Sequence, residues 1–314
     1  MISVIIPFYN EKESLPILIR SLVLELDRLK EDYEILLVDD GSDDDYISEL
    51  KSYVLDKVMT EKKFLNLNLK PEKFKILIHK KRKGKGEALK TGVENAKGEI
   101  LVFMDADLQD DPKDLPRFLE KINQGYDFVN GYRVNRCDSF LIKIYSKAAS
   151  WFLKTFLHSP FSDINCGFKV FRKEVLKDFV FYANNFRFLP LFVFYQGFKL
   201  TEVPILNHPR RFGKSKFGPK KLFLGIFDML TAYFLYKFSE RPLHFFGILG
   251  GIISLIGFFI LSILAYERIF YNVLLYRRPI VWLGILMVIV GIQIISTGII
   301  GELMVYLSKK KDKN

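Results

Sequence analysis

The residues best placed to do chemistry are acids that stand directly after short apolar runs. The clearest set is Asp105-Ala106-Asp107-Leu108-Gln109-Asp110-Asp111-Pro112, behind Glu99-Ile100-Leu101-Val102-Phe103-Met104. The apolar run, bounded by Gly98, reads as a buried strand, and Pro112 with Leu115, Phe118, Leu119 and Ile122 behind it starts a helix. Carboxylates crowded into one loop raise each other's pKa unless a cation neutralises them. Asp105 and Asp107 lie two apart across small Ala106, and Gln109 adds a neutral oxygen. That all-oxygen set suits Mg²⁺ or Mn²⁺, which in turn can hold a diphosphate. The competing reading is a solvated acidic turn in which Asp110 or Asp111 caps the next helix.

A second acidic turn, Asp39-Asp40-Gly41-Ser42, follows Glu34-Ile35-Leu36-Leu37-Val38. Its carboxylates either accept hydrogen bonds from a nucleobase or ribose, or serve as the cap and turn of the next helix. Gly84-Lys85-Gly86, ahead of Glu87-Ala88-Leu89-Lys90, opens a helix whose N-terminal N–H groups favour a phosphate. It lacks the spacing of a Walker A loop.

These turns need elements to position them. Apolar runs predict strands at 2–6, 34–38, 74–78, 99–104 and 126–130. Amphipathic runs predict helices behind them, one with Leu15, Leu18, Ile19, Leu22 and Leu26 on one face and one over 140–157. Strand, acidic turn and helix alternate, which indicates an α/β domain with a mainly parallel sheet. Both acidic turns should then open on the same edge of the sheet, where such folds bind ligands. The lysine-rich segment from about residue 46 to 73 reads as a helix plus an exposed excursion, with an insertion around 56–73, and has no assigned role.

The chain has 314 residues, long enough for two domains, and 49% of them are hydrophobic. Its two cysteines, Cys137 and Cys166, are too few for a disulfide framework and fit a reducing compartment. The four histidines (His79, His158, His208 and His244) are scattered, which argues against a zinc site, and His208 reads as a structural hydrogen-bonder. The run at Met1-Ile2-Ser3-Val4-Ile5-Ile6-Pro7 reads as a strand and not as a signal peptide. A net charge of +11 points to an anionic membrane face or phosphorylated substrates. Nucleic acid is disfavoured, because the basic residues adjoin an acidic loop and apolar helices, not an aromatic platform.

The last quarter is organised around the membrane. Residues 220–236, apolar but interrupted by Asp228 and flanked by lysines, predict an interfacial helix. Residues 245–266 and 281–305 carry uncharged runs of spanning length, joined by a short loop with Glu267, Arg268, Arg277 and Arg278. The basic tail Lys309-Lys310-Lys311-Asp312-Lys313 and the basic flank before Phe245 predict an integral cell-membrane protein with the N-terminal domain and both termini in the cytoplasm. Gly247, Gly250, Gly251, Gly284, Gly291 and Gly298 allow close helix packing, within the hairpin or between protomers of a homo-oligomer. The expected divisions are 1–218, a catalytic domain; 219–242, interfacial helix and linker; and 243–314, a transmembrane hairpin with its tail.

Taken together, the motifs resemble the family-2 glycosyltransferases of GT-A fold, and more narrowly their dolichol-phosphate mannosyltransferase-like, polyprenyl-phosphate branch. The matching elements are Pro7-Phe8-Tyr9-Asn10-Glu11, Asp39-Asp40-Gly41-Ser42, Gly84-Lys85-Gly86-x-Ala88-Leu89, Asp105-Ala106-Asp107-Leu108-Gln109, Gly131-Tyr132-Arg133, Asp163-x-x-Cys166-Gly167-Phe168-Lys169 and Arg210-x-x-Gly213-x-Ser215-Lys216. The resemblance implies a Rossmann-like, mainly parallel sheet flanked by helices over about residues 1–218. It also implies that Pro7, Tyr9, Glu11, Asp39, Lys85, Asp105 and Ala106 line the nucleotide, and that Asp105, Asp107 and Gln109 hold Mg²⁺ or Mn²⁺. Arg133, with Lys143 on the following helix, would bind the acceptor phosphate, and Arg210, Ser215 and Lys216 would come from a loop that closes over the donor. Asp163 matches an acidic position near the sugar, while Asn165 stands where relatives often carry another acid. Asp107, Arg133, Asp163 and Arg210 are the expected catalytic residues.

The implied reaction is inverting transfer of a hexose, from a GDP-mannose or UDP-glucose type donor, to polyprenyl phosphate. A lipid monophosphate has a second pKa of about 6, so it arrives as a nucleophile without a general base. The task becomes holding two anions together, with a metal on one and Arg or Lys on the other. The alternative is transfer to a glycolipid or polysaccharide hydroxyl. That chemistry requires an acidic base, which is not evident in the sequence.

Overall fold

A computed structural model describes residues 1–43, 71–134, 140–182, 184–209, 211–212, 219–238, 240–272, 274 and 278–311. The chain divides into two compact units, Met1–Ala232 and Tyr233–Asn314. Among the described residues of the first unit, seven strands form one sheet. They are β1 (Ile2–Phe8), β2 (Tyr33–Asp39), β3 (Phe74–Ile78), β4 (Ile100–Phe103), β5 (Phe128–Val134), β6 (Lys169–Arg172) and β7 (Leu200–Leu206). The helices between them are α1 (Ser14–Leu29), α2 (Lys85–Asn95), α3 (Leu115–Asn123), α4 (Phe140–Leu157) and α5 (Leu189–Tyr195).

The strand order is β3-β2-β1-β4-β6-β5-β7. Every pairing is parallel except those of β6, which runs antiparallel to both β4 and β5. The order changes direction between β1 and β4, which opens a crevice at the carboxyl ends of those strands. Both faces are covered, so β1 and β2 are almost wholly buried, as their unbroken apolar runs require. Val4, Ile6, Ile35, Leu37 and Val102 pack on one side with Leu15, Leu18, Leu22 and Leu26 of α1 and Phe118 of α3. Ile5, Leu36, Val38, Leu101 and Phe103 pack on the other with Ala88 and Leu89 of α2 and Leu189 of α5. Each fully buried Leu, Ile or Phe contributes about 1.5–3 kcal/mol, so this double-sided core holds the strand ends rigidly.

Some boundaries differ from the sequence reading. The fifth strand is displaced from 126–130 to Phe128–Val134, because Gly131, Tyr132 and Arg133 pair with β7 instead of following the strand. Pro112 opens a single 3₁₀ turn, Pro112–Asp114, and α3 begins only at Leu115. Asp111 caps that turn by accepting from the Lys113 N–H at 3.0 Å. Of the insertion around 56–73, residues 56–70 lie outside the described residues.

A helix over Pro219–Lys237, α6, ends the first unit and enters the second. Within the first unit its Asp228 accepts from Asn184 Nδ2 at 3.2 Å and lies 3.8 Å from Arg187, while Ile226, Phe227 and Leu230 are exposed. The second unit is a hairpin of α7 (Pro242–Tyr271) and α8 (Pro279–Lys311), both long and apolar enough to cross a membrane and both mostly exposed along their apolar sides. Each extends past its uncharged run, so the ends at Glu267 and Arg268, and at Lys309, are charged turns of the same helices. Gly250 faces the Gly291 carbonyl, and Gly257 faces that of Gly284. Arg278 and Glu267 pair across the connection.

Candidate active site

Because β1, β2, β3, β4, β5 and β7 run in one direction and β6 in the other, one edge of the sheet collects, among the described residues, the loops that follow β1, β2, β3, β4 and β7 and the one that precedes β6. The acidic loop after β4 is the centre. Asp105 is half-buried, and its carboxylate accepts from Lys85 Nζ at the start of α2. Burial pushes the Asp105 carboxyl up, but the Lys85 ammonium, with Lys169 and Arg133 behind it, outweighs burial and holds it below the usual carboxylate range. Asp107 accepts from the Gln109 N–H at 3.2 Å, which closes the loop, and Leu108 between them sits at φ 60°. A branched side chain in that left-handed region costs on the order of 1–2 kcal/mol, strain carried in the loop itself.

Asp110, 5% exposed, lies behind this pair. Burial, then the Asp105 charge, pushes its carboxyl up to about 7, against the pull of Arg133. Three neighbouring acids are thus set against Lys85, Arg133 and Lys169, and Asp110 exchanges its proton close to neutral pH. Among the described residues no three His, Cys, Asp or Glu side chains converge so as to enclose a metal by themselves. Asp105, Asp107 and Gln109 nevertheless offer only hard oxygens in an anionic loop. That fits an ion which takes one or two carboxylates from the protein and the rest of its ligands from a diphosphate and water.

Arg133, near the carboxyl end of β5, lies close enough for its charge to act on Asp105 and Asp110. Its Nε and Nη2 donate to the two oxygens of Asp163 at 2.7 and 3.1 Å. Asp163 belongs to the turn that enters β6. The next residues of that turn bring Gly167 so close to Asp105 that a Cβ there would lie 2.5 Å from Oδ2. The side chain of Lys169, fully buried, donates to the carbonyls of Ile164, at 3.3 Å, and Cys166. Cys166 is buried, and burial pushes its thiol up, so it is an inert packing residue.

In the first acidic turn Asp39 bonds locally, while Asp40 reaches the loop after β3. Asp39, fully buried, accepts from the Ser42 N–H at 3.1 and 3.0 Å and from the Ser42 hydroxyl. Asp40 accepts from the Lys83 and Gly84 N–H groups and faces His79 Nδ1 at 3.4 Å, while His79 Nε2 lies 2.9 Å from Thr91 Oγ1. Gly41, at φ 76°, lies against the backbone of Lys81 and Arg82. Asp40 therefore ties the end of β2 to the loop that opens α2, the loop from which Lys85 reaches Asp105.

Of the other expected residues, Pro7 is buried at the end of β1, and Glu11 accepts from the Ser14 hydroxyl at 2.9 Å. The Tyr9 ring faces the Arg82 guanidinium at 4.3 Å. Ala106 is buried among the core residues, and Gln109 accepts at its carbonyl from the His208 N–H at 3.0 Å. Arg210, Ser215, Lys216 and the side chain of Lys143 lie outside the described residues. Sequence reasoning did not single out His79, Arg82, Gly167 or Lys169 as members of this edge. Gly167 and Lys169 sit in a motif that gave them no role, and His79 and Arg82 are tied in by contacts between distant segments.

Glycosyl transferase family 2 matches residues 3–207. The dodecaprenyl-phosphate galacturonate synthase of Rhizobium johnstonii is 28% identical over 307 residues, covering 96% of this chain and 87% of that protein. The undecaprenyl-phosphate 4-deoxy-4-formamido-L-arabinose transferase of Pectobacterium atrosepticum is 30% identical over 303 residues, with the same coverage. Among solved structures, the glucosyl-3-phosphoglycerate synthase of Mycobacterium tuberculosis, crystallised with Mn²⁺ and UDP, superposes with a TM-score of 0.52 at 17% identity over 74% of this chain and 79% of that one. This last likeness establishes the GT-A-like fold. With the family match spanning most of the first unit and the relatives spanning nearly the whole chain, the protein belongs to glycosyl transferase family 2, in its polyprenyl-phosphate glycosyltransferase branch.

Proposed function

We propose that the protein is a metal-dependent, inverting glycosyltransferase that moves one sugar from a nucleotide sugar to the phosphate of a polyprenyl phosphate at the cytoplasmic membrane face. The observation that carries this reading is the opposition of two charged sets on one sheet edge: Asp105 and Asp107 in the loop after β4, and Arg133 on β5. Asp105, Asp107 and Gln109 would hold Mg²⁺ or Mn²⁺, whose charge offsets that of the departing diphosphate. The synthase that shares the fold was crystallised with Mn²⁺, which supports the same preference here.

In the reaction an acceptor phosphate oxygen forms the new bond to the anomeric carbon as the bond to the diphosphate breaks. The nucleoside diphosphate leaves, and no proton need be removed from the acceptor. Arg133 grips the incoming phosphate, helped by Lys143, Ser215 and Lys216, and Arg210 closes over the donor. Asp163 orients Arg133 and stands near the sugar. Lys85, at the N-terminus of α2, follows the donor phosphates, and Pro7, Tyr9, Glu11, Asp39 and Ala106 border the nucleotide. The relatives' names specify a galacturonate and a formamido-arabinose, so a hexose is one member of the class of sugars this site is proposed to accept. The helices α7 and α8 span the bilayer, and the exposed apolar face of α6 lies in its interface, with the first unit and both termini cytoplasmic.

The test is transfer by purified enzyme with Mg²⁺ or Mn²⁺. Asp107→Ala should abolish it, and near-normal turnover would end the metal assignment. Preference for a water-soluble hydroxyl acceptor over undecaprenyl phosphate would end the acceptor assignment. A thermal-shift panel of nucleotide sugars with Mn²⁺ names the donor, because the ligand bound by the folded state raises its stability.

A further inference from the structure

Lys169 is the least expected member of the site. It is the first residue of β6, where it pairs with Phe103 of β4 on one side and Asn130 of β5 on the other. Only 4% of it is exposed. Burying an ammonium is costly unless its donors are used, and a methionine or leucine would fill the same space without that cost. The donors are used on main-chain oxygens, those of Ile164 and Cys166, both in the turn that precedes β6. Its cross-strand neighbour Asn130 takes a third carbonyl of the same turn, donating from Nδ2 to Asp163 at 2.9 Å. Ser162, at the start of the turn, donates its N–H to Glu202 at 2.8 Å.

The turn so held has two working ends. At one, the Asp163 carboxylate grips Arg133; at the other, Gly167 abuts the carboxylate of Asp105. A shift of the turn therefore moves the phosphate-gripping group relative to the acidic loop. We infer that Lys169 is a positioning residue for glycosyl transfer: by pinning the Ile164 and Cys166 carbonyls it fixes the 163–167 turn, and with it the separation between Asp105 and Arg133. This rests on the transferase reading given above. The donor itself matters, because Lys169 Nζ bonds the Ile164 and Cys166 carbonyls and a buried apolar side chain would leave both without that partner. The lowered pKa of Lys169, pushed by burial to about 8, marks the same cost.

The test compares the full-length protein with Lys169→Met and Lys169→Gln in detergent. Gln retains a donor, and Met retains only the shape. Amide hydrogen exchange is expected to quicken across 162–168 in Met and less so in Gln, with the strand β1 unchanged. With undecaprenyl phosphate and the donor selected by thermal shift, kcat should fall about 10- to 100-fold in Met, the range that small misplacements cost. Gln should lie between, and the donor KM should stay within about twofold. Asp163→Asn combined with Lys169→Met should be little worse than either alone, because both act through one turn. Unchanged exchange in both variants, a kcat within twofold of the parent, or additive losses would overturn the inference, as would loss of cooperative folding in both variants. The exchange measurement decides the point even if the parent transfers nothing to undecaprenyl phosphate, an outcome that would instead remove the acceptor assignment.

Discussion

Arg133 holds Asp163 through two parallel bonds, Nε at 2.7 Å and Nη2 at 3.1 Å, with 18% and 7% of the two side chains exposed. Removing one member of a buried pair strands the other charge, at about 3–5 kcal/mol. Asp163→Ala should therefore lower unfolding free energy by about 3 kcal/mol, the lower end because Arg133 retains some solvent. Arg133→Lys keeps the charge but loses the planar fork, so it should raise the acceptor KM more than it costs in stability. Denaturant titration and steady-state kinetics check the two halves. A cost below about 1 kcal/mol for Asp163→Ala would mark the pair as a solvated surface bridge.

Gly167 tests the acidic loop without touching its charge. A Cβ at this position would sit 2.5 Å from Asp105 Oδ2 and 2.7 Å from Cγ. Asp105 must move, while the fold around it has no reason to. Gly167→Ala should leave far-ultraviolet circular dichroism intact, cost about 1–3 kcal/mol by overpacking, and abolish the stabilisation that Mn²⁺ with nucleotide gives the parent. Retention of that thermal shift would show that Asp105 does not set the ion's place.

The sequence made β1, β2 and β4 visible because strands buried on both faces are written as unbroken apolar runs, and β3, an edge strand interrupted by Lys75, was short but still mostly apolar. β6 and β7 carry weaker signals. Lys169-Val170-Phe171-Arg172 is four residues with a charge at each end, and β7 holds Pro204, which a sheet accepts only because β7 is its edge strand. Arg133 and Asp163 could be named through their motifs, but without β6 nothing placed Gly167 and Lys169 beside the acids. Asp105 and Asp107 could be named from type and spacing, but their neighbours Gly167 and Lys169 reach them only once an antiparallel strand is inserted between β4 and β5. Asp39 and Asp40 were legible as an acidic turn. That Asp40 would tie down the backbone at Lys83 and Gly84 depends on the β2–β3 pairing that lays the loop after β3 across it.

Asp110 gives the metal-free protein a characteristic pH dependence. Its ordinary carboxyl value of 3.8 is raised in the folded state to about 7. Between those values the folded protein keeps a proton that the unfolded chain has released. Stability contributed by this group is complete below about pH 4 and is lost as pH rises through 7. With EDTA present, urea titrations at pH 5 and pH 8 should differ by up to about 2–3 kcal/mol in favour of pH 5, at about 1.4 kcal/mol per pH unit. Asp110→Asn should remove most of that difference, since the amide is neutral throughout. A difference that survives the substitution would place its origin in another group.

The hairpin of α7 and α8 is held where side chains are missing. A Cβ on Gly250 would fall 2.5 Å from the Gly291 carbonyl oxygen, one on Gly291 2.6 Å from that of Gly250, and one on Gly257 2.7 Å from that of Gly284. In each case the obstacle is backbone, which cannot rotate away, so the two helices must separate. In lipid there is little hydrophobic force to press them back together, because the tails are as apolar as the side chains and close packing supplies the attraction. Gly291→Val should then cost about 1–3 kcal/mol and lower the detergent-solubilised protein's melting temperature. Gly251→Val provides the control, since nothing lies within 4 Å of a Cβ there, and it should melt with the parent. Equal melting of both variants would mean that the helices meet along some other line. A loss in both would point to a partner helix over Gly251, which a crosslinking experiment on the intact protein would then reveal as a dimer.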